Sequence, residues 1–142
     1  MKTLMYLCPI CGNVIVKLVD SGVVPSCCGH EMQLLIPKVT EESEMLMEKH
    51  LPQARALDEY TLKIEVGSTL HPMSPDHLIN FIYLETERGA QIRFLSAMDR
   101  PTAKFYCGRD KPTAVYAFCN QHGLWGRDQL PPCRHRKGTT AV

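Results

Sequence analysis

Long apolar runs are missing from this 142-residue chain. Stretches such as Val14-Ile15-Val16 and Leu34-Leu35-Ile36 fall far short of the roughly twenty residues that a membrane-crossing helix needs, so no membrane partner is expected. An excess of one charge is missing too. Sixteen Lys and Arg stand against fifteen Asp and Glu, a net charge of +1, which excludes a nucleic-acid binder working through a broad basic face. Residues 1–7 contain neither an adequate apolar core nor a small-residue cleavage site of the kind that marks a secretory leader. A soluble, cytoplasmic protein is therefore the expectation. Internal repeats and low-complexity tracts are absent as well. At 44% apolar and 22% charged residues the composition is that of an ordinary folding chain.

Cysteine is what the chain has. There are seven; without a leader they read as metal ligands or reduced thiols, and an odd number cannot pair completely. Four lie in the first 28 residues and the next is Cys107. Residues 1–38 have few large apolar side chains, and a unit of under about 40 residues needs a metal or disulfides to stay folded. That predicts a small metal-stapled domain over 1–38. Residues 39–49, with Glu41, Glu42, Glu44 and Glu48, read as a linker or a short helix.

From Tyr60 the pattern alternates, with Tyr60, Leu62, Ile64 and Val66 on one face and Thr61, Lys63 and Glu65 on the other, which predicts a half-buried strand. Further strands are expected at 78–84, 90–96, 103–107 and 113–119, separated by turn signals at 87–89, 99–101 and 108–112. Regular short strands with little helix between them predict an all-β fold, an antiparallel sandwich over 39–128. Residues 129–142 read as a basic tail.

Cys8-Pro9-Ile10-Cys11 and the adjacent pair Cys27-Cys28 supply four thiolates, a set that selects tetrahedral iron or zinc without deciding between them. Gly12 and Gly29 each follow a cysteine and free the backbone for positive φ near the metal. Two neighbouring ligands cannot both take the relaxed geometry of a C-x-x-C chelate, so a distorted tetrahedron is expected at this first site. A second constellation is His50, His71, His77 and the pair Cys119-Asn120-Gln121-His122. Each histidine alone is more often a surface or packed residue than a ligand. Together, four imidazoles and one thiolate suit a transition metal better than calcium or magnesium, and five ligands leave an octahedral ion one open position.

These motifs, in this order, resemble the desulfoferrodoxin family of two-iron superoxide reductases over nearly the whole chain. Cys8-Pro9-Ile10-Cys11-Gly12-Asn13 through Cys27-Cys28-Gly29 is similar to the desulforedoxin module. Glu48-Lys49-His50-Leu51-Pro52, His71-Pro72-Met73, His77 and Cys119-Asn120-Gln121-His122-Gly123-Leu124-Trp125 are similar to neelaredoxin. The resemblance implies two irons per chain, one held by Cys8, Cys11, Cys27 and Cys28, the other by His50, His71, His77 and His122 with Cys119 as axial ligand. It also implies an immunoglobulin-like second domain, a homodimer, superoxide as substrate and a rubredoxin-like electron donor. Leu51 stands where valine is expected, Phe81 where tryptophan is usual, and His30-Glu31 where a residue followed by proline is more common; none of these removes a ligand.

Under this resemblance Lys49 attracts the anion and orders a proton-delivering water, and Glu48 occupies the vacant position of the ferric site. Without the motif, the bland reading of both is a solvated charge pair. Cys107 and Cys133 belong to neither site and read as reduced thiols. Two other classes stay open on the residues alone: an electron carrier with no vacancy at the second site, and a metal-stapled binding module with no redox chemistry.

Overall fold

A computed structural model describes residues 3–39 and 44–131. The tail beyond residue 131, with Cys133, and Glu41 and Glu42 lie outside the described residues. The chain divides into two compact units, 1–36 and 37–142.

Unit 1 is built from short strands. β1 (Leu4–Leu7) lies between β2 (Val14–Lys17) and β5 (Gln33–Leu34) in one antiparallel sheet, and β3 (Ser26–Cys27) pairs with β4 (His30–Glu31). Its buried cluster is Tyr6, Cys8 and Met32, with Leu4 and Cys27 packed on it. One of those three is itself a candidate ligand. Ile10, Leu18, Val19, Val23 and Ile36 are exposed, so apolar burial contributes little here.

Unit 2 opens with α1 (Glu44–His50) and continues as strands only: β6 (Pro52–Ala56), β7 (Thr61–Val66), β8 (Ile79–Thr86), β9 (Ala90–Phe94), β10 (Thr102–Tyr106), β11 (Pro112–Cys119) and β12 (Gly123–Arg127). They form two antiparallel sheets, ordered β10-β7-β6 and β12-β11-β8-β9. Leu62, Ile64 and Val66 of β7 and Phe105 of β10 meet Ile79, Ile82 and Leu84 of β8 and Val115, Ala117 and Cys119 of β11 in one core. The antiparallel sandwich expected from the alternation is therefore present, and the buried side chains of β7 are the ones that alternation selected.

β6 and β12 were not legible from the sequence. β6 starts with a proline and its apolar members are alanines; it is tolerated because it lies at a sheet edge, where a first-position proline costs no ladder bond. β12 carries Gly123 and Gly126, and glycine has little strand preference. A side chain at Gly126 would press on the Tyr116 ring and the Pro37 ring, at 2.7 and 2.9 Å, so the glycine is there for close packing.

One irregularity prepares the site. Phe118 pairs with Phe81 but Cys119 pairs with Ile79, so the register slips by one residue next to Cys119. Such a bulge re-aims side chains. Ile79 and Ile82, three apart, both reach the core because of it.

Candidate metal centres

In unit 1 the sulfurs of Cys8, Cys11, Cys27 and Cys28 all lie within 4.8 Å of one another. Cys11 to Cys27 is 3.7 Å and Cys27 to Cys28 is 3.9 Å; sulfurs about 2.3 Å from a shared tetrahedral ion would be about 3.8 Å apart. The backbone explains how adjacent cysteines manage this. Cys28 itself takes φ of 53°, and Gly12 and Gly29 take 82° and 73°, so the left-handed turns expected at the glycines extend to a ligand. The Ile10 and Cys11 amides point at Cys8 Sγ, at 3.4 and 3.5 Å.

Those backbone N–H groups, the Cys11 amide foremost, pull the Cys8 thiol down to about 6. The Cys11 side chain pushes Cys28 up to about 12 and also raises Cys27. Four sulfurs this close cannot all be thiolates unless a cation shares their charge, which is what a metal supplies.

The second cluster lies at one end of the sandwich. His50 closes α1, and Pro52 prevents the helix from continuing. His71 follows β7, His77 precedes β8, Cys119 ends β11, and His122 occupies the turn into β12. Nitrogens of His50, His71 and His77 and the sulfur of Cys119 lie within 4.8 Å of one another. His122 joins them: its ring centre is 4.7 Å from that of His50 and 5.2 Å from that of His77, and its Nδ1 is 3.7 Å from Cys119 Sγ.

Hydrogen bonds fix which nitrogens face inward. His50 Nδ1 donates to Leu46 O at 2.8 Å and His71 Nδ1 donates to Pro72 O at 2.6 Å. Both Nε2 atoms are then bare lone pairs, 3.1 Å apart. Two ligand nitrogens about 2.1 Å from one ion and at right angles would lie about 3.0 Å apart. His77 Nε2 is buried without a hydrogen-bond partner. Facing lone pairs and an orphaned buried nitrogen cost free energy unless a cation lies between them, so the donor set fits a transition metal.

Burial sets the protonation states. Desolvation holds the His71 imidazole at about 4 and lowers His50 and His77 too, so these ligands stay neutral. Desolvation also pushes the Cys119 thiol up, against the Gln121 and His122 amides that lower it. The Lys49 ammonium lies close enough to add, after burial and His122, to the lowering of His77. Glu48 is exposed and Lys49 half-buried on the last turn of α1; the Glu48 carboxylate is not one of the clustered donors.

The sequence patterns match known proteins in the same places. A family model described as Desulfoferrodoxin matches residues 42–128. The chain belongs to the desulfoferrodoxin family. Among relatives, a desulfoferrodoxin homolog of Archaeoglobus fulgidus is 36% identical over 85% of this chain and 93% of its own length. The desulfoferrodoxin of Nitratidesulfovibrio vulgaris is 34% identical over 85% and 92%. Among solved structures, the superoxide reductase of Treponema pallidum superposes with a TM-score of 0.71 and 25% identity, over 89% of this chain and 97% of its own. Two metal-binding clusters, one of four thiols and one of imidazoles with a single thiol, agree with a two-iron desulfoferrodoxin.

Sequence reasoning missed the framework around the ligands. Trp125, fully buried, stacks on His50 at 4.9 Å and 20° and donates from Nε1 to His122 O at 3.1 Å. The turn at Gly67-Ser68-Thr69 caps α1: the Ser68 and Thr69 amides donate to Glu48 O at 2.7 and 3.3 Å. The only signals available were a lone tryptophan and a glycine in a polar stretch, neither of which specifies a partner. Cys107, outside both sites, is a buried thiol in the core.

Proposed function

We infer that the chain is a superoxide reductase, taking superoxide with one electron and two protons to hydrogen peroxide without releasing dioxygen. The observation that carries this is the convergence of His50, His71, His77, Cys119 and His122 at one end of the sandwich. Iron held by these residues would supply the electron. The tetrathiol cluster of Cys8, Cys11, Cys27 and Cys28 would hold a second iron, or zinc, in a desulforedoxin-like domain over 1–38, ahead of the catalytic domain over 39–128.

The chain's own groups do the rest. Carbonyls of Leu46 and Pro72 keep the His50 and His71 rings in the tautomer that turns Nε2 inward. Neutral imidazoles and one thiolate place little compensating negative charge on the iron, so the positive site and the Lys49 ammonium together draw in a small anion. Lys49 Nζ is proposed to hold the water that delivers a proton. Glu48, on the same helix turn, is proposed to close the open face of the resting site with its carboxylate. A rubredoxin-like protein is the proposed donor, and a cytoplasmic homodimer the proposed form; among the described residues no helix is long and apolar enough to cross a membrane.

The test is to mix the reduced protein with superoxide and measure products. One peroxide per ferrous second-site iron and no dioxygen supports the reading; dioxygen and peroxide in equal amounts would mean dismutation instead.

A further inference from the structure

His77 is held differently from the other imidazoles of the second cluster. The rings of His50 and His71 are oriented by backbone carbonyls, and His122 is fixed by the chelating turn it shares with Cys119. The His77 ring makes no hydrogen bond to a described residue at either nitrogen, and its Nε2 is buried; the loop carrying the ring therefore sets its position. That loop is stitched to the Cys119-x-x-His122 turn by the two residues between those ligands. Asn120 Nδ2 and Gln121 Nε2 both donate to Asp76 O, at 2.9 and 2.8 Å. Asn120 Oδ1 accepts from the Leu78 amide at 3.0 Å, and the Asn120 amide donates to Leu78 O at 3.2 Å. The carbonyl before His77 and both backbone groups of the residue after it are thus tied to one side of the cluster.

We propose that Asn120, assisted by Gln121, is a positioning residue that sets His77 against Cys119 and His122. It does so in place of the ring hydrogen bond that His50 and His71 possess. The two intervening residues of the chelate are therefore a bracket between two loops more than forty residues apart in sequence. An outer partner of a ligand typically governs metal affinity by about 10- to 100-fold. Thr113, whose hydroxyl bonds Glu85 O on the same sheet, has no such link and serves as a control.

This rests on the iron reading of the second cluster, and the experiment separates the two. In the full-length two-iron protein, ferrous iron loss to a chelator is followed site by site, with the tetrathiol iron as internal reference, together with the ferric absorption band of the second site. Asn120→Ala should release second-site iron about tenfold faster or more, and shift its band, with the tetrathiol iron unchanged. Asn120→Asp, which keeps the oxygen facing Leu78 N but loses the donor to Asp76 O, should fall between, and Thr113→Val should match wild type. Unchanged release and an unmoved band in Asn120→Ala would overturn the bracket. So would faster loss accompanied by a lowered melting temperature of the metal-free sandwich, since that is general destabilisation. A wild-type protein that takes up no iron at His50, His71, His77, Cys119 and His122 would instead sink the reading on which the bracket rests.

Discussion

The two metal clusters solve the same problem from opposite directions. In unit 1 a ligand is part of a very small core: Cys8 packs with Tyr6 and Met32, while Ile10, Leu18, Val19, Val23 and Ile36 face outward. Ligand geometry there comes from local backbone, two left-handed glycines and a left-handed cysteine. In unit 2 only one ligand, Cys119, belongs to the core, beside Leu62, Ile64, Val66, Ile82, Leu84 and Val115 buried between two sheets. A metal that completes a fold contributes folding free energy directly. A metal seated on a finished fold is free to keep an open position and react.

Removing a ligand from the reactive cluster is the harshest test of that contrast. His122→Ala and Cys119→Ala should each abolish activity and deplete second-site iron while the sandwich stays folded by circular dichroism. Full iron content in His122→Ala would mean the ligand set is wrong.

Next in size is charge. Lys49→Ala should slow superoxide association by about tenfold with iron retained, and the wild-type rate should fall as salt is added, because screening weakens steering of an anion. Pulse-radiolysis rates insensitive to both would remove Lys49 from the mechanism.

Gly67 links the sandwich to the helix that carries Glu48, Lys49 and His50. It has φ of 86°, and a Cβ would meet the backbone oxygens of Thr69, Lys49 and Glu48, the latter two at 2.7 and 2.8 Å. None of these can swing aside as a side chain could. Gly67→Ala should destabilise unit 2 by about 2 kcal/mol or more in chemical denaturation, and leave the visible bands of the tetrathiol site unchanged.

Much of this was legible in the alternation of Leu62, Ile64 and Val66 and in the spacing of the cysteines, because strand period and chelate spacing are local properties. The bulge before Cys119, the cap by Ser68 and Thr69 and the stack of Trp125 on His50 were not. Each depends on residues far apart in sequence whose types suit many environments. β6 and β12 were hidden for a related reason: edge strands tolerate Pro52, Ala54 and Gly126, which carry no strand signal.

A smaller effect concerns Tyr116 on the outer face of the four-stranded sheet. Burial first, then the Glu85 charge, pushes its phenol up to about 12 from 10. The unfolded chain therefore loses this proton first, so unit 2 should lose stability as pH rises from about 10 to 12, and Tyr116→Phe should remove that part of the slope. An identical alkaline slope in the variant would assign the loss to other groups.

The division of labour between the clusters is tested most directly by Cys11→Ser. The variant is reduced in advance, metal analysis establishes that only second-site iron remains, and a single turnover with superoxide is followed. If the tetrathiol site serves the fold of unit 1 and the His/Cys site does the chemistry, the bimolecular rate stays within a few-fold of wild type while amide exchange in unit 1 accelerates. Loss of that single turnover would contradict the account and make the first site an obligatory part of the reaction.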